Sequence, residues 1–210
     1  LHQSFEITVV PSHVSFRKDK KIQRQLTALG AKYRMFNELP KKLTGVGLAI
    51  CELQFFSSGM ALRVKERGLT LVWSNEMMWP FNGEAEAVTA GLIGRVLWVS
   101  EFQANAFTEM YRNVPSSFTG NYIDPDDFCW IDRRHPTFTI GRLSRPDPEK
   151  YPYDFPVFYE ELLPFETHFR VMAWNEELSN QYKWHQFDPR WTRHKANTIP
   201  TIDFLHSLDL

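Results

Sequence analysis

Cysteine, long apolar runs and an N-terminal targeting pattern are scarce or absent in this sequence, and each absence excludes a class of protein. The two cysteines, Cys51 and Cys129, lie far apart and have no metal-ligand partner at short spacing, so neither a disulfide framework nor a zinc site is indicated. The chain has no run of about 18 apolar residues and no signal peptide, which argues against a membrane-spanning or secreted protein. We therefore predict a cytoplasmic location and leave peripheral membrane association open.

An excess of either charge is also missing. The formal net charge is -1 at pH 7, so neither a nucleic acid nor an anionic membrane surface is expected as the main partner. Internal repeats and low-complexity segments are absent as well. The partner must therefore be predicted from local sites.

Aromatic residues, in contrast, are plentiful. They make up 15 % of the chain and include seven Trp, more than core packing usually needs. One interpretation is that some of them line a cleft for a flat or sugar-like ligand. The other is that they fill the core and interfaces, and the sequence leaves both open.

The apolar pattern switches between short runs and longer runs of helical period, which predicts βα units around a parallel sheet. We predict strands at residues 7–10, 32–35, 46–51, 69–73, 96–99, 138–140 and 169–173. We predict helices at residues 18–29, 56–67, 84–92, 101–112 and 155–163. The helices at 84–92 and 101–112 both begin with a glutamate, which suits the positive end of a helix dipole.

A polar, proline-bounded segment at residues 124–136 has no sustained period and predicts an interdomain linker. It separates a first domain at residues 1–123 from a remainder at residues 137–210, which is shorter than a usual domain. We expect an open sheet in this remainder. The predicted fold class is therefore α/β, with two Rossmann-like parallel-sheet domains, the second incomplete in this chain.

Polar residues follow several of the predicted strands. In open α/β sheets, ligands bind outside the carboxyl ends of the strands, where unpaired helix N–H groups are also found. Capping of the following helix is the other interpretation, and the favoured one for Ser100 with Glu101. The turns nominated by this rule contain Asn75 and Glu76, Ser100 and Glu101, Asn121, Gly141 and Arg142, and Asn175 and Glu176.

The segment at residues 141–150 gives the sharpest signal. It has a glycine after a predicted buried strand, and then Arg142, Arg145 and Lys150. A glycine lets the backbone come close to a ligand, and arginine can grip phosphate oxygens with two parallel hydrogen bonds. Together these residues could neutralise a diphosphate leaving group. A solvated surface loop has the same composition, so the pattern leaves that alternative open.

The string Ile140-Gly141-Arg142-Leu143-Ser144-Arg145, followed by Lys150, resembles the start of the donor domain in retaining glycosyltransferases of family 4, which have the GT-B architecture. Val99-Ser100-Glu101 is similar to a strand-to-helix turn of the family's acceptor domain. Residues 120–128 resemble its interdomain element, and Val171-Met172-Ala173-Trp174 resembles its second donor-domain strand and turn. The similarity covers about residues 69–210.

This resemblance implies roles for individual residues. Arg145 or Arg142, together with Lys150, would hold the donor diphosphate, and Gly141 would allow its close approach. Trp174, Asn175 and Glu176 would lie near the nucleobase. Asn75 and Glu76 would face the reacting sugar, although the family often has histidine in that turn, and a capping or salt-bridge role is the alternative for Glu76. The acceptor-side cleft would include His13, Ser100, Glu101 and Asn121; His13 is either a base or an ordinary loop histidine.

The expected function is transfer of a sugar from a nucleoside-diphosphate-sugar to a hydroxyl acceptor with retention of configuration. The acceptor would be a glycan, a lipid-linked molecule or a small molecule, and neither a cofactor nor an obligatory metal is expected. The family's paired glutamates are missing from residues 1–210, which favours a fragment of a longer protein. A nucleotide-sugar 2-epimerase and a non-catalytic nucleotide-sugar or glycan-binding module are the alternatives.

Overall fold

Parallel strands joined by short helices form both halves of the chain. The computed structural model describes residues 5–11, 20–121, 125–126, 128–129, 131, 137–162 and 166–209. The chain divides into two units, Leu1–Tyr122 and Ile123–Leu210. The assignment of acceptor and donor roles to the two predicted domains stays a prediction. None of the described helices has the length and hydropathy needed to cross a bilayer.

Two parallel sheets form the first unit. One pairs β1 (Thr8–Val9) with β2 (Lys32–Tyr33), and α1 (Lys20–Ala28) connects them. The other has four strands in the order β3-β4-β5-β6. Its elements are β3 (Val46–Ile50), α2 (Met60–Glu66), β4 (Thr70–Asn75), α3 (Glu84–Thr89), β5 (Arg95–Trp98), α4 (Glu101–Ala106) and β6 (Ser116–Phe118).

The core of the first unit is built on one face of the four-stranded sheet. Trp73 and Val96 are completely buried there, and Trp98 nearly so. Trp73 stacks on Phe55 with ring centroids 5.7 Å apart and meets Phe81 edge to face. Because successive residues of a strand point to opposite faces, this burial shows which face the helices cover. The alternate residues of β3 on the opposite face stay more than half exposed: Val46, Leu48 and Ile50.

The second unit has one parallel sheet in the order β7-β8-β9. A buried aromatic cluster that includes Phe155, Phe169 and Trp191 packs against it. Its elements are β7 (Thr139–Leu143), a 3-10 turn (Pro148–Lys150), α5 (Phe155–Glu160), β8 (His168–Met172), α6 (Glu176–Gln181), β9 (Trp191–Arg193) and α7 (Thr201–Leu205).

Several predicted boundaries are wrong. The helix predicted at 56–67 begins only at Met60, because Gly59 has a left-handed backbone with φ of 72° and ends the preceding series of turns. The helix predicted at 101–112 ends at Ala106. The strand predicted at 138–140 extends to Leu143, so Gly141 lies inside β7 and pairs with Arg170 of β8.

Gly141 makes room for another side chain of the same unit. A Cβ atom added to it would lie 2.2 Å from Cδ2 of Leu208 and 2.9 Å from its Cγ. The missing side chain at this position is therefore explained by packing of Leu208 on the strand. The prediction that Gly141 lets a donor come close to the backbone stays a prediction, because packing of Leu208 already accounts for the glycine.

Gly141→Ala is expected to lower the free energy of unfolding by roughly 1 to 2 kcal/mol, because Leu208 must rotate away from the strand. Chemical denaturation measures this change. In a chain that already contains Leu208→Ala, the cost of Gly141→Ala should fall below about 0.5 kcal/mol, since the atoms nearest to the added Cβ all belong to the Leu208 side chain. An equal cost in both backgrounds would contradict the packing explanation.

Candidate functional site

The loop at residues 144–152 leaves the carboxyl end of β7 and holds the predicted cationic residues. Arg145 and Lys150 are both exposed. Their side chains make no hydrogen bond or ion pair with any residue that the structure describes. Two positive charges are therefore available to a ligand at this edge of the sheet.

Arg142 has a different position. Its guanidinium carbon lies 4.8 Å above the centre of the Tyr151 ring and 5.5 Å from that of Phe155. The same guanidinium donates a hydrogen bond to the carbonyl of Lys150. An arginine over an aromatic face is held there by the ring quadrupole. Arg142 thus fastens the far end of the loop to the strand that it leaves.

Residues at the two ends of α6 also hold the loop. Nδ2 of Asn175 donates to the carbonyl of Pro146 at 3.4 Å. Nε2 of Gln181 donates to the carbonyl of Tyr151 at 2.7 Å, and the hydroxyl of Tyr182 donates to the carbonyl of Pro152 at 2.6 Å. Burial raises the pKa of Tyr182 to about 12, so the hydroxyl keeps the proton that it donates. The loop is therefore anchored along its length.

Trp174 has a packing role in this structure. It is only 6 % exposed, and its indole Nε1 donates to the hydroxyl of Ser179 at 2.8 Å. The ring packs against Tyr182 and Phe187, with the guanidinium of Arg193 5.5 Å from its centre. Trp174 is thus part of the aromatic packing of the second unit. This burial does not support the predicted place of Trp174 near the nucleobase, which stays a prediction.

The other two predicted nucleobase residues lie at the start of α6. Oδ1 of Asn175 accepts a hydrogen bond from the amide of Leu178 at 2.8 Å, so Asn175 is the N-cap of the helix. Glu176 is exposed. The capping interpretation therefore accounts for Asn175, which links the helix to the cationic loop, and leaves Glu176 open to solvent.

A buried carboxyl group lies beneath the carboxyl end of β4 in the first unit. Glu84, which is fully buried, accepts hydrogen bonds from Trp73 Nε1 at 2.9 Å, from the amide of Phe81 at 2.6 Å and from Asn75 Nδ2 at 3.3 Å. It also accepts one from the hydroxyl of Tyr111. Every partner is a donor, so the oxygens of Glu84 are satisfied without a cation. The sequence predicted only a helix N-terminus here.

The hydrogen bonds around Glu84 also decide whether the two residues predicted to be catalytic, Asn75 and Glu76, are accessible to a ligand. Asn75 is fully buried, and its Oδ1 accepts a hydrogen bond from the amide of Met77 at 2.7 Å. It cannot touch a substrate in this conformation, so a direct catalytic role does not fit its position. Glu76, the next residue, is exposed and has no hydrogen bond or ion pair within the described part of the chain. Only Glu76 of the pair is accessible.

The predicted acceptor-side residues lie in different surroundings, and their place in an acceptor cleft stays a prediction. Ser100 is the N-cap of α4, and its hydroxyl accepts from the amide of Gln103 at 3.2 Å, as the capping interpretation predicted. Glu101 and Asn121 are exposed. His13 lies outside the described residues. Gln103, to which no sequence motif points, is 1 % exposed and joins α4 to the end of β4 and the turn after it through the carbonyls of Asn75 and Met77.

Metal ligands were not expected. Within the described ranges, no group of three or more His, Cys, Asp or Glu side chains is placed to hold a metal ion. Whether the reaction needs a metal stays a prediction.

No family model matches the sequence, and no curated protein is similar to it in sequence. Among solved structures, the chain is similar to the crystal structure of Anabaena Alr3699/HepE in complex with UDP and glucose, with a TM-score of 0.54 and 13 % identity. The match covers 90 % of this chain and 61 % of the HepE chain, so this chain spans about three fifths of that protein. The fold is a GT-B-like pair of Rossmann-like α/β domains. The fold class predicted from the sequence is confirmed.

The Tyr111 hydroxyl in the Glu84 network should make stability depend on alkaline pH. Burial and then the contact with Glu84 raise the pKa of Tyr111 above its ordinary value of 10.0. Above pH 10 the unfolded chain releases this proton while the folded chain keeps it, so stability is full below pH 10 and falls above it.

Between pH 9 and pH 11, the wild-type protein should lose about 1.4 kcal/mol more unfolding free energy than the Tyr111→Phe variant. Urea titrations at the two pH values measure this difference, and the tyrosines common to both proteins cancel. Equal losses in the two proteins would show that the Tyr111 hydroxyl is not buried as described.

Proposed function

We propose that this chain belongs to a nucleotide-sugar-dependent glycosyltransferase that moves a sugar from a nucleoside-diphosphate donor to a hydroxyl acceptor. The fold likeness to HepE, whose structure was solved with UDP and glucose, supports the proposal at the level of architecture. The observation that carries it is the anchored loop at residues 144–152, which presents Arg145 and Lys150 without partners among the described residues. Such a loop suits an anionic ligand at the carboxyl edge of a parallel sheet.

In this proposal Arg145 and Lys150 contact the donor diphosphate directly. Arginine offers a planar fork that matches two phosphate oxygens, and lysine adds a compact charge on a flexible stem. When the bond to the sugar breaks, negative charge builds on the diphosphate. Fixed positive charge at that point lowers the barrier to sugar transfer, because its attraction to the diphosphate is strongest in the transition state, where the negative charge builds up.

Arg142 is assigned a positioning role. Its guanidinium is occupied by the Tyr151 ring and the Lys150 carbonyl. It therefore acts through the loop, by fixing the backbone next to Lys150. Asn175 and Gln181 do the same from α6, and preorganisation of this kind avoids an ordering cost when the donor binds.

The finer parts of the proposal come from the sequence resemblance. Membership of family 4, retention of configuration and independence from metal are proposed on that ground. Glu76 is the accessible polar residue after β4, and we propose that it contacts a sugar hydroxyl. The anomeric configuration of the first product, followed by proton NMR, tests retention directly.

Arg145→Ala and Lys150→Ala are each expected to lower kcat/KM for the nucleotide sugar by about 10² to 10³-fold, since each removes charge stabilisation of the leaving group. Lys183→Ala, an exposed lysine of the second unit beyond α6, is the matched control and should keep wild-type activity. A coupled enzymatic assay for the released nucleoside diphosphate measures turnover in the full-length protein. Wild-type activity in the Arg145→Ala, Lys150→Ala double variant would remove the loop from the mechanism.

Product analysis with a panel of nucleotide sugars separates the proposal from other activities. Transfer to an acceptor, or slow hydrolysis of one donor, supports a glycosyltransferase. An isomerised sugar would replace the proposal with an epimerase. Binding of a nucleotide sugar without turnover in the full-length protein would replace it with a binding module.

A further inference from the structure

The turn after β4 exposes a tryptophan that belongs neither to the core nor to the loop at residues 144–152. Trp79 is 54 % exposed and Met78 is 47 % exposed, although tryptophan is on average highly buried in folded proteins. Both follow the accessible carboxylate of Glu76. The turn lies at the carboxyl end of β4, the edge at which open α/β sheets bind ligands.

Buried side chains hold this turn in one conformation. The amide of Met77 donates to Asn75 Oδ1 at 2.7 Å, and the Met77 carbonyl accepts from Gln103 Nε2 at 2.9 Å. The carbonyl of Trp79 accepts from Asn75 Nδ2 at 3.4 Å. Asn75 is in turn hydrogen-bonded to Glu84. Three contacts thus fix the backbone from which the exposed side chains project.

Glu84 closes the turn at both ends. Its Oε1 accepts from Asn75, before the turn, and its Oε2 accepts from the amide of Phe81, after it. Burying a carboxyl group is costly even when it is well hydrogen-bonded. Because Glu84 also accepts from Trp73 and Tyr111 of the core, the same carboxyl group fixes the turn, with its exposed residues Met78 and Trp79, relative to the sheet. This combination indicates a surface that is preorganised for a ligand.

The chemistry of Trp79 and Glu76 indicates the ligand class. The indole offers a broad apolar face with a polar edge, which suits the C–H face of a pyranose ring. The carboxylate of Glu76 has no partner among the described residues and accepts hydrogen bonds, which sugar hydroxyls donate. A lipid tail or a flat apolar aglycone would contact the indole but would offer no hydroxyl to the carboxylate of Glu76.

We propose that Trp79 and Glu76 form a carbohydrate-binding site and that the acceptor of the transfer reaction is therefore a glycan. The identification of this glycan as the acceptor rests on the proposed function; the binding site itself does not. Trp79 supplies the stacking face, Glu76 orients a hydroxyl, and Asn75 positions both through the turn.

Glycan-array binding with the labelled full-length protein, without any nucleotide sugar, tests the site. At least one glycan should bind, and in solution Trp79→Ala should raise its Kd roughly tenfold or more, as truncation of a central tryptophan usually does. Glu76→Gln should change which glycans bind. Trp184→Ala, which removes a 43 % exposed tryptophan of the second unit, is the control and should bind as wild type.

The outcomes separate this inference from the proposed function. Glycan binding that depends on Trp79, without turnover of any nucleotide sugar, supports the site and overturns the transferase. Turnover of a nucleotide sugar with an unchanged KM for the acceptor in Trp79→Ala overturns the site and leaves the transferase. Absence of any bound glycan, or binding of phosphatidylcholine–phosphatidylglycerol vesicles in its place, also overturns the site. Unchanged thermal midpoints of the variants exclude unfolding as the cause.

Discussion

The buried carboxyl group of Glu84 is the constraint on which the carboxyl edge of the four-stranded sheet depends. It lies in an aromatic core, and among the described residues it has donors but no cation. A buried acceptor that loses a donor costs more than an average hydrogen bond contributes, so all of the contacting residues are held together. Trp73 is thereby oriented in the core and Asn75 beneath the turn. One interaction thus connects the packing of the sheet to the shape of the edge.

The second unit reaches a similar result with different groups. There the loop that follows β7 is held by hydrogen bonds to its backbone carbonyls, from Arg142, Asn175, Gln181 and Tyr182. In both units, the side chains that form hydrogen bonds to the backbone of the turn or loop are buried or engaged in those bonds, and neighbouring side chains are exposed. The backbone of each edge is thus fixed, and the exposed side chains project from it.

Local signals predicted much of the sheets and little of these networks. Most residues of β3, β4, β5 and β8 lie within apolar runs long enough to be recognised, whereas the predicted strand at 138–140 covers only the first two residues of β7. The strands Ser116–Phe118 and Trp191–Arg193 have three residues each, too few to show a period, and they exist because they pair with β5 and β8. The caps at Ser100 and Asn175 follow from residue type next to a helix start, and the sequence offered them as an alternative.

The contacts that decide the sites connect distant parts of the chain. Glu84 accepts a hydrogen bond from Tyr111, which lies 27 positions further along the chain, and Leu208 fills the space beside Gly141. No local pattern encodes these pairs. Trp174 illustrates the consequence: the family resemblance implied a nucleobase contact, but the ring packs against Tyr182 and Phe187, which follow α6 in the sequence.

Arg142 and Arg145 show why residue type is insufficient at such an edge. Both are arginines of one basic segment, and by charge alone they are equivalent. Their positions differ because Arg142 lies on the strand, within reach of the Tyr151 ring, whereas Arg145 lies on the exposed loop. The guanidinium of Arg142 would lose its contact with the aromatic ring and its hydrogen bond to a carbonyl if it turned to a ligand. The guanidinium of Arg145 would lose only water. The difference in free energy between those two starting points, and not the number of charges, determines which arginine is available to a phosphate.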